Sequence, residues 1–140
     1  MREFATELVA EPQAISALTE QVMTFLTNCG VDARATHHVA LVLDELLTNV
    51  ASHSGAREAP TRVSVMVLPD RVNAEVVDRG MMFDPRSAPK PDLSGGVDER
   101  PVGGLGLLLV QRIVDTLAYE RADERNRTIF SIRRASDCET

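Results

Sequence analysis

ARATHHVALVLDELLTNVASHS, residues 33–54, is the stretch that decides the architecture of this chain. Val39, Val42, Leu43, Leu46, Leu47 and Val50 recur at the three- and four-residue intervals of a helix. They predict one from about Ala33 to about Ser54 with a broad apolar stripe. Glu45, Asn49 and His53 stand beside that stripe, four residues apart, so they stack on one face. One side of the helix packs and the adjacent side can bind. A carboxylate and an amide one turn apart offer hard oxygens, the donors that magnesium prefers while it bridges to phosphates.

Outward from this helix the punctuation is clear. Upstream, Pro12 suits a first helical turn, and Ile15, Leu18, Val22, Phe25 and Leu26 keep helical spacing until Gly30 stops them. Before that, Phe4, Thr6, Leu8 and Ala10 alternate loosely with Glu3, Ala5 and Glu7, which predicts a short, half-buried edge strand. Downstream, Val63, Val65 and Val67, a Pro69-Asp70 turn, and Val72, Ala74 and Val76 predict a hairpin of two core strands. The second strand ends in Val76-Val77-Asp78-Arg79-Gly80. From about residue 87 to 102 prolines and glycines interrupt any period, and so long a loop in a small domain is usually a lid or binding loop. Leu107, Val110, Ile113, Val114 and Leu117 predict a third helix, started directly from Gly103-Gly104-Leu105-Gly106. Ala118 to Arg121, a polar turn at Asp123-Glu124-Arg125-Asn126, and Thr128 to Ile132 read as a closing hairpin.

This order predicts an α+β fold: a two-layer sandwich whose mixed, mostly antiparallel sheet is covered on one face by about three helices. At 140 residues, one domain spanning 1–140 is expected, with the lid at about 87–102. A hydrophobic content of 44% and a charged content of 26% are those of an ordinary soluble protein, and no apolar run reaches the roughly 20 residues of a membrane span. The acidic start, Met1-Arg2-Glu3-Phe4-Ala5-Thr6-Glu7, lacks the basic and apolar blocks of a secretory signal. Cys29 and Cys138 have no metal-ligand spacing and are too few for a disulfide framework, which fits a reducing cytoplasm. A net charge of −6 opposes binding to nucleic acid.

Three groups in this order carry chemistry. Gly103-Gly104-Leu105-Gly106 before a helix admits a ligand close to the backbone, and free amides at a helix start favour a phosphate; taken alone, the glycines also make an ordinary turn. Neither the lysine-containing phosphate loop nor the dinucleotide fingerprint is present. Asp78 at a strand end can accept a hydrogen bond from the exocyclic amine of adenine, with room left by Gly80; alone, Asp78-Arg79-Gly80 equally reads as a turn. Glu45 alone reads as a solvated helix residue, but beside a metal-bound triphosphate it can take a proton from an attacking hydroxyl. His37 and His38 point about 100° apart on a helix and, with His53, complete no zinc set, so all three are read as helix-surface or capping residues.

Together, Glu45-x-x-x-Asn49-x-x-x-His53, Asp78-x-Gly80-x-x-Phe83-Asp84-Pro85 and Gly103-Gly104-Leu105-Gly106-Leu107 resemble the three nucleotide boxes of the histidine-kinase-like ATPases. Within that superfamily the chain resembles the bacterial anti-sigma-factor serine/threonine kinases of partner-switching systems, over nearly its whole length. The resemblance implies ATP or ADP as ligand, Mg2+ held by Asn49, and Glu45 as general base. It implies Asp78 and Gly80 at the adenine, and Gly104, Leu105, Gly106 and Leu107 at the phosphates. Thr128 matches a position that seats adenine through water. It also implies a STAS-type anti-anti-sigma antagonist as protein substrate, a sigma factor or other sequestered target, and a possible homodimer. One departure is Met82, where members often carry a second glycine. Lys90 and Arg100, on the lid, are read as solvated.

The resulting expectation is a kinase that phosphorylates its antagonist and sequesters a target when free. The alternative is a non-catalytic nucleotide-binding regulator that sequesters a partner. A sensor-kinase catalytic domain is disfavoured, because no phosphoacceptor helix pair precedes the boxes within this sequence and His37-His38 falls inside the binding domain.

Overall fold

A computed structural model describes residues 2–53, 59–87 and 104–135. The lid expected over 87–102 lies outside these residues beyond Ser87, as do Ser54, Gly103 and Cys138. The chain runs β1 (Arg2–Leu8), α1 (Pro12–Asn28), α2 (Ala33–His53), β2 (Thr61–Val67), β3 (Arg71–Asp78), a single 3-10 turn (Pro85–Ser87), α3 (Gly104–Ile113), β4 (Thr116–Ala122) and β5 (Arg125–Arg133). The strands form one sheet in the order β1-β2-β3-β5-β4. All of its neighbouring pairs are antiparallel, so among the described strands the sheet is antiparallel throughout rather than mixed. β1 is an edge strand, as its weak alternation predicts.

The alternation of the inner strands explains the layering. Val63, Val65 and Val67 on β2, Val72, Ala74 and Val76 on β3, and Phe130 and Ile132 on β5 are buried on one sheet face. Their core includes Ile15, Leu18, Val22 and Leu26 of α1 and Val39, Val42, Leu43, Leu46 and Leu47 of α2. Each fully buried aliphatic side chain contributes about 1.5–3 kcal/mol, so this single face of contact dominates the stability.

The helix ends follow local chemistry. Pro12 opens α1, and Gly30 at φ +80° ends it. The Val31 amide then reaches back to the Leu26 carbonyl at 3.0 Å, and both side chains are buried, which makes a Schellman stop. A Cβ at Gly30 meets nothing nearer than Arg134 Nη2 at 3.9 Å, so the cost of Gly30→Ala is confined to the backbone. We expect a loss of about 1 kcal/mol, measured by denaturant unfolding, with the denaturant slope unchanged.

Asp32 begins α2: its Oδ2 accepts from the Ala35 amide at 3.1 Å, and its Oδ1 accepts from the Ala135 amide at 2.7 Å, beyond the end of β5. Burial pushes this carboxyl up, but the amides of Ala135 and Ala35, its own amide and nearby Arg34 outweigh it and hold the group below its usual range. A depressed folded pKa means that the carboxylate stabilises the fold above the unfolded value, and that this contribution fades as pH falls through the folded value. Asp32→Ala should therefore cost about 1–2 kcal/mol at pH 7. The difference from wild type should shrink as unfolding is repeated below about pH 4.

Two details of the third helix and the last hairpin differ from the sequence reading. α3 ends at Ile113, and Leu117 lies in β4, not in the helix. The Asp115 amide already donates to Ser131 O at 2.8 Å, so the sheet has taken over the backbone two residues earlier. The closing turn is also tighter than a four-residue polar turn. Ala122 pairs with Arg125, and only Asp123 (φ 53°) and Glu124 (φ 61°) lie between them, both left-handed as a two-residue hairpin turn requires. Asn126 thus belongs to β5.

Candidate functional site

The inward row of side chains changes character at one end of the sheet. Along β3 it reads Val72, Ala74, Val76 and then Asp78; along β5, in the reverse direction, it reads Ile132, Phe130, Thr128 and then Asn126. Val76 pairs with Thr128, and Asp78 with Asn126. Strand alternation therefore delivers polar groups to the inner face just where the strands leave the core. α2 lies over that face, and between them is a cavity lined by Leu46, Asn49, Val50, Val76, Asp78, Met81, Phe83, Pro85, Asn126 and Thr128. Mostly apolar walls with a few convergent polar groups suit a heteroaromatic ring.

Asp78 is buried, and both of its hydrogen bonds fall on one oxygen. The Gly80 amide donates to Oδ2 at 2.9 Å, and Asn126 Nδ2 donates to it at 3.1 Å. Oδ1 takes no hydrogen bond from the described residues and is left as the acceptor for a ligand in the cavity that Asp78 lines. Gly80 works through its backbone, since its carbonyl accepts from Arg121 Nη1 at 2.7 Å. Met82, the departure from the family pattern, is 70% exposed and is not among the described residues with positive φ. The loop there runs in a conformation that any side chain adopts, so no glycine is required.

On α2, Asn49 is buried and its Nδ2 donates to the Glu45 carbonyl at 2.8 Å. A carbonyl only accepts, so the amide nitrogen must face it and Oδ1 is the atom left over. That oxygen suits Mg2+, which binds through one or two protein oxygens and keeps waters and phosphates for the rest. Glu45, one turn earlier, abuts the first turn of α3: a Cβ added to Gly106 would overlap its carboxyl group, 2.6 Å from Cδ. Gly106 thus admits Glu45 to the helix start. Burial, and then the charge of Asp44, raise the Glu45 carboxyl above its ordinary value, which makes it a stronger base. Leu107 is buried in the core, so only its backbone is available to a ligand. Gly104 to Leu107 form the opening turn of α3, where backbone amides lack partners within the helix.

The structure therefore gathers Asn49, Asp78 and Thr128 around one cavity, with Gly80 held to Asp78. Glu45 does not line that cavity and stands beside Gly106, one turn from Asn49. His37 is exposed and His38 is 3.5 Å from Arg34, and no group of metal-binding side chains occurs among the described residues. Sequence reasoning missed Asn126, which is 3% exposed and bonded on every side. Its signal was present: counting back two from inward-facing Thr128 lands on it. It also missed Tyr119 and Arg121, whose roles depend on which strand lies beside which.

Among the described residues no helix is long and apolar enough to cross a membrane. No curated protein matches the chain in sequence. Among solved structures, one containing the RsbU and RsbW domains of Rv1364c from Mycobacterium tuberculosis is 16% identical with a TM-score of 0.70, covering 96% of this chain and 33% of that one. This chain therefore spans about a third of that protein's length. The catalytic domain of histidine kinase ThkA is 14% identical with a TM-score of 0.51, covering 96% of this chain and 99% of that one. A mycobacterial sensor histidine kinase, MprB, is 15% identical with a TM-score of 0.50, covering 95% and 99%. At such identities the likeness is one of fold. Residues 8–132 match the family described as the histidine kinase-like ATPase domain. That match spans most of the chain and agrees with its antiparallel sheet and helical layer: the protein belongs to the histidine kinase-like ATPase domain family, with the ATP or ADP binding that such a domain implies.

Proposed function

We propose that this chain is an ATP-dependent protein serine/threonine kinase that phosphorylates a small STAS-type antagonist protein in the cytoplasm and, when free, sequesters a sigma factor or another target. The observation that carries this reading is the placement, one helical turn apart, of an open amide oxygen at Asn49 and a carboxylate of raised basicity at Glu45 against the glycine turn of α3. A purely passive nucleotide site has no need of the second group.

In this reading Asp78 Oδ1 accepts from the adenine amine, Gly80 lies beside the base, and Thr128 helps seat it through water. The amides of Gly104, Leu105, Gly106 and Leu107 hold phosphates. Asn49 holds Mg2+, which supplies charge neutralisation at the phosphates when bound. Glu45 takes the proton from a serine or threonine hydroxyl of the partner as that oxygen bonds to the γ-phosphorus and the bond to ADP breaks. The phosphate adds about −2 charge to the antagonist's binding surface and weakens its hold, which frees the kinase for its other partner.

Affinity capture with and without ATP and Mg2+, followed by mass spectrometry, tests this directly. The expected result is a small partner carrying phosphoserine or phosphothreonine only when ATP is present. Nucleotide binding with no transfer to any captured partner would sink the kinase reading and leave a nucleotide-dependent binding regulator.

A further inference from the structure

Asn126 uses its full hydrogen-bonding capacity within the protein. Its Nδ2 donates to Asp78 Oδ2 at 3.1 Å and to the Met81 carbonyl at 2.8 Å, with the Gly80 carbonyl at 3.4 Å. Its Oδ1 accepts from the Tyr119 hydroxyl and, at 3.4 Å, from the Phe83 amide. The orientation is fixed by chemistry, because a carbonyl can only accept and an amide N–H can only donate. With both N–H groups and the carbonyl engaged, Asn126 has nothing left with which to read a ligand, although it lines the cavity. What it controls is the geometry of the groups that do. It holds one oxygen of Asp78, and it holds the backbone at Met81 and Phe83, whose side chains wall the same cavity.

We propose that Asn126, braced by Tyr119, is the positioning residue that sets purine selectivity, by locking Asp78 so that Oδ1 alone faces the 6-position of the base. An acceptor held there favours a 6-amino purine and repels a 6-oxo purine. Without Asn126 only the Gly80 amide still holds Oδ2, and a carboxylate fixed by a single hydrogen bond can tilt about it, so that a base with either edge can be met by water. The lock also has a brace: Arg86 lies over the Tyr119 ring, 5.8 Å from its centre, and bonds Asp84 through its guanidinium. The hydroxyl that steadies Asn126 is thus itself held from two sides, by β4 and by the turn after Asp84.

The inference rests on the cavity being the nucleotide site. Titration calorimetry with ATP, GTP and inorganic triphosphate, each with Mg2+, separates the two. For wild type, ATP should bind more tightly than GTP. In Asn126→Ala the ATP-to-GTP preference should fall at least about tenfold, the scale of one hydrogen bond to a charged group, while triphosphate binds as before. A folded Asn126→Ala protein that keeps its preference, or that loses affinity for all three ligands alike, overturns the positioning role. Should that variant fail to fold, Tyr119→Phe decides: it removes the brace alone, and the preference should fall about threefold, a fraction of one hydrogen bond. An unchanged preference in Tyr119→Phe overturns the inference as well. If wild type binds neither nucleotide, the nucleotide reading itself fails, a result distinct from loss of selectivity.

Discussion

Glu45→Gln is expected to slow phosphate transfer to the antagonist by about 10²–10⁴-fold, the usual contribution of a positioned general base, while nucleotide affinity stays nearly unchanged. The same change should raise the thermal midpoint. Burial, helped by Asp44, lifts the Glu45 carboxyl above its ordinary value. A carboxyl raised on folding binds its proton more tightly in the native state, so its ionised form detracts from stability. That loss begins as pH rises past the unfolded value near 4.3 and is complete above the folded value. Glutamine has the same shape and carries no charge, so it removes the loss at neutral pH and behaves like wild type in acid. Activity in wild type should rise with pH along a limb displaced above the ordinary carboxylate range, and that limb should vanish in the variant. Melting curves and single-turnover rates between pH 4 and 8 check both halves. A variant that is no more stable than wild type and transfers phosphate as fast would show that Glu45 is a solvated helix residue. Gain of stability with loss of activity is the signature of a group placed for chemistry against the preference of the fold.

Asp78→Asn should do more than weaken ATP binding; it should turn the preference toward 6-oxo purines. Two donors, the Gly80 amide and Asn126 Nδ2, face the Oδ2 position. An asparagine there has one oxygen and must give it to those donors, which leaves its NH2 where the open Oδ1 of Asp78 stands. A donor at that position repels the amine of adenine and suits the carbonyl of guanine or hypoxanthine. Loss of one hydrogen bond to a charged acceptor and creation of a clash of donors should cost ATP about 100-fold or more in affinity. Inosine triphosphate, which lacks the 2-amino group of guanine, should lose least and can gain. Competition binding with ATP, GTP and inosine triphosphate reads this. Equal weakening of all of them would mean that Asp78 supports the cavity without reading the base. Asp78→Ala provides the contrast, since it removes the acceptor without adding a donor and should lower ATP affinity with no gain for inosine triphosphate.

Much of this was legible in the residues. The valines of β2 and β3 alternate cleanly because one face is buried and the other is not, α1 keeps helical spacing between a proline start and a glycine stop, and α2 keeps it throughout. Leu117 misled because an apolar residue four beyond Ile113 fits a helix as well as an inward strand position. Only the Asp115 amide bond to Ser131 O shows that the helix has already ended. Asn126 misled because Asp, Glu, Arg and Asn in a row read as a turn. The two-residue hairpin at Asp123 and Glu124 uses two left-handed residues without glycine, so the usual signal was missing. Met82 looked like a defect in a glycine box, yet the backbone there makes no demand for glycine.

By itself the sequence determined what periodicity and order can carry: an α+β layer structure, the helix that presents Glu45 and Asn49, the strand that ends in Asp78, and a glycine-led third helix. These follow from local spacing, because the 3.6-residue and two-residue repeats fix which side chains share a face whatever else the chain does. Tertiary structure alone decided which atoms are free. The strand order put Asn126 opposite Asp78, so that Oδ2 is consumed and Oδ1 remains. The crossing of α2 by α3 put Gly106 against Glu45, so that a helix-surface carboxylate became partly buried. Hydrogen-bond partners 48 residues apart, as in the Asn126–Asp78 contact, arise from the meeting of separate elements. No local spacing rule encodes that meeting.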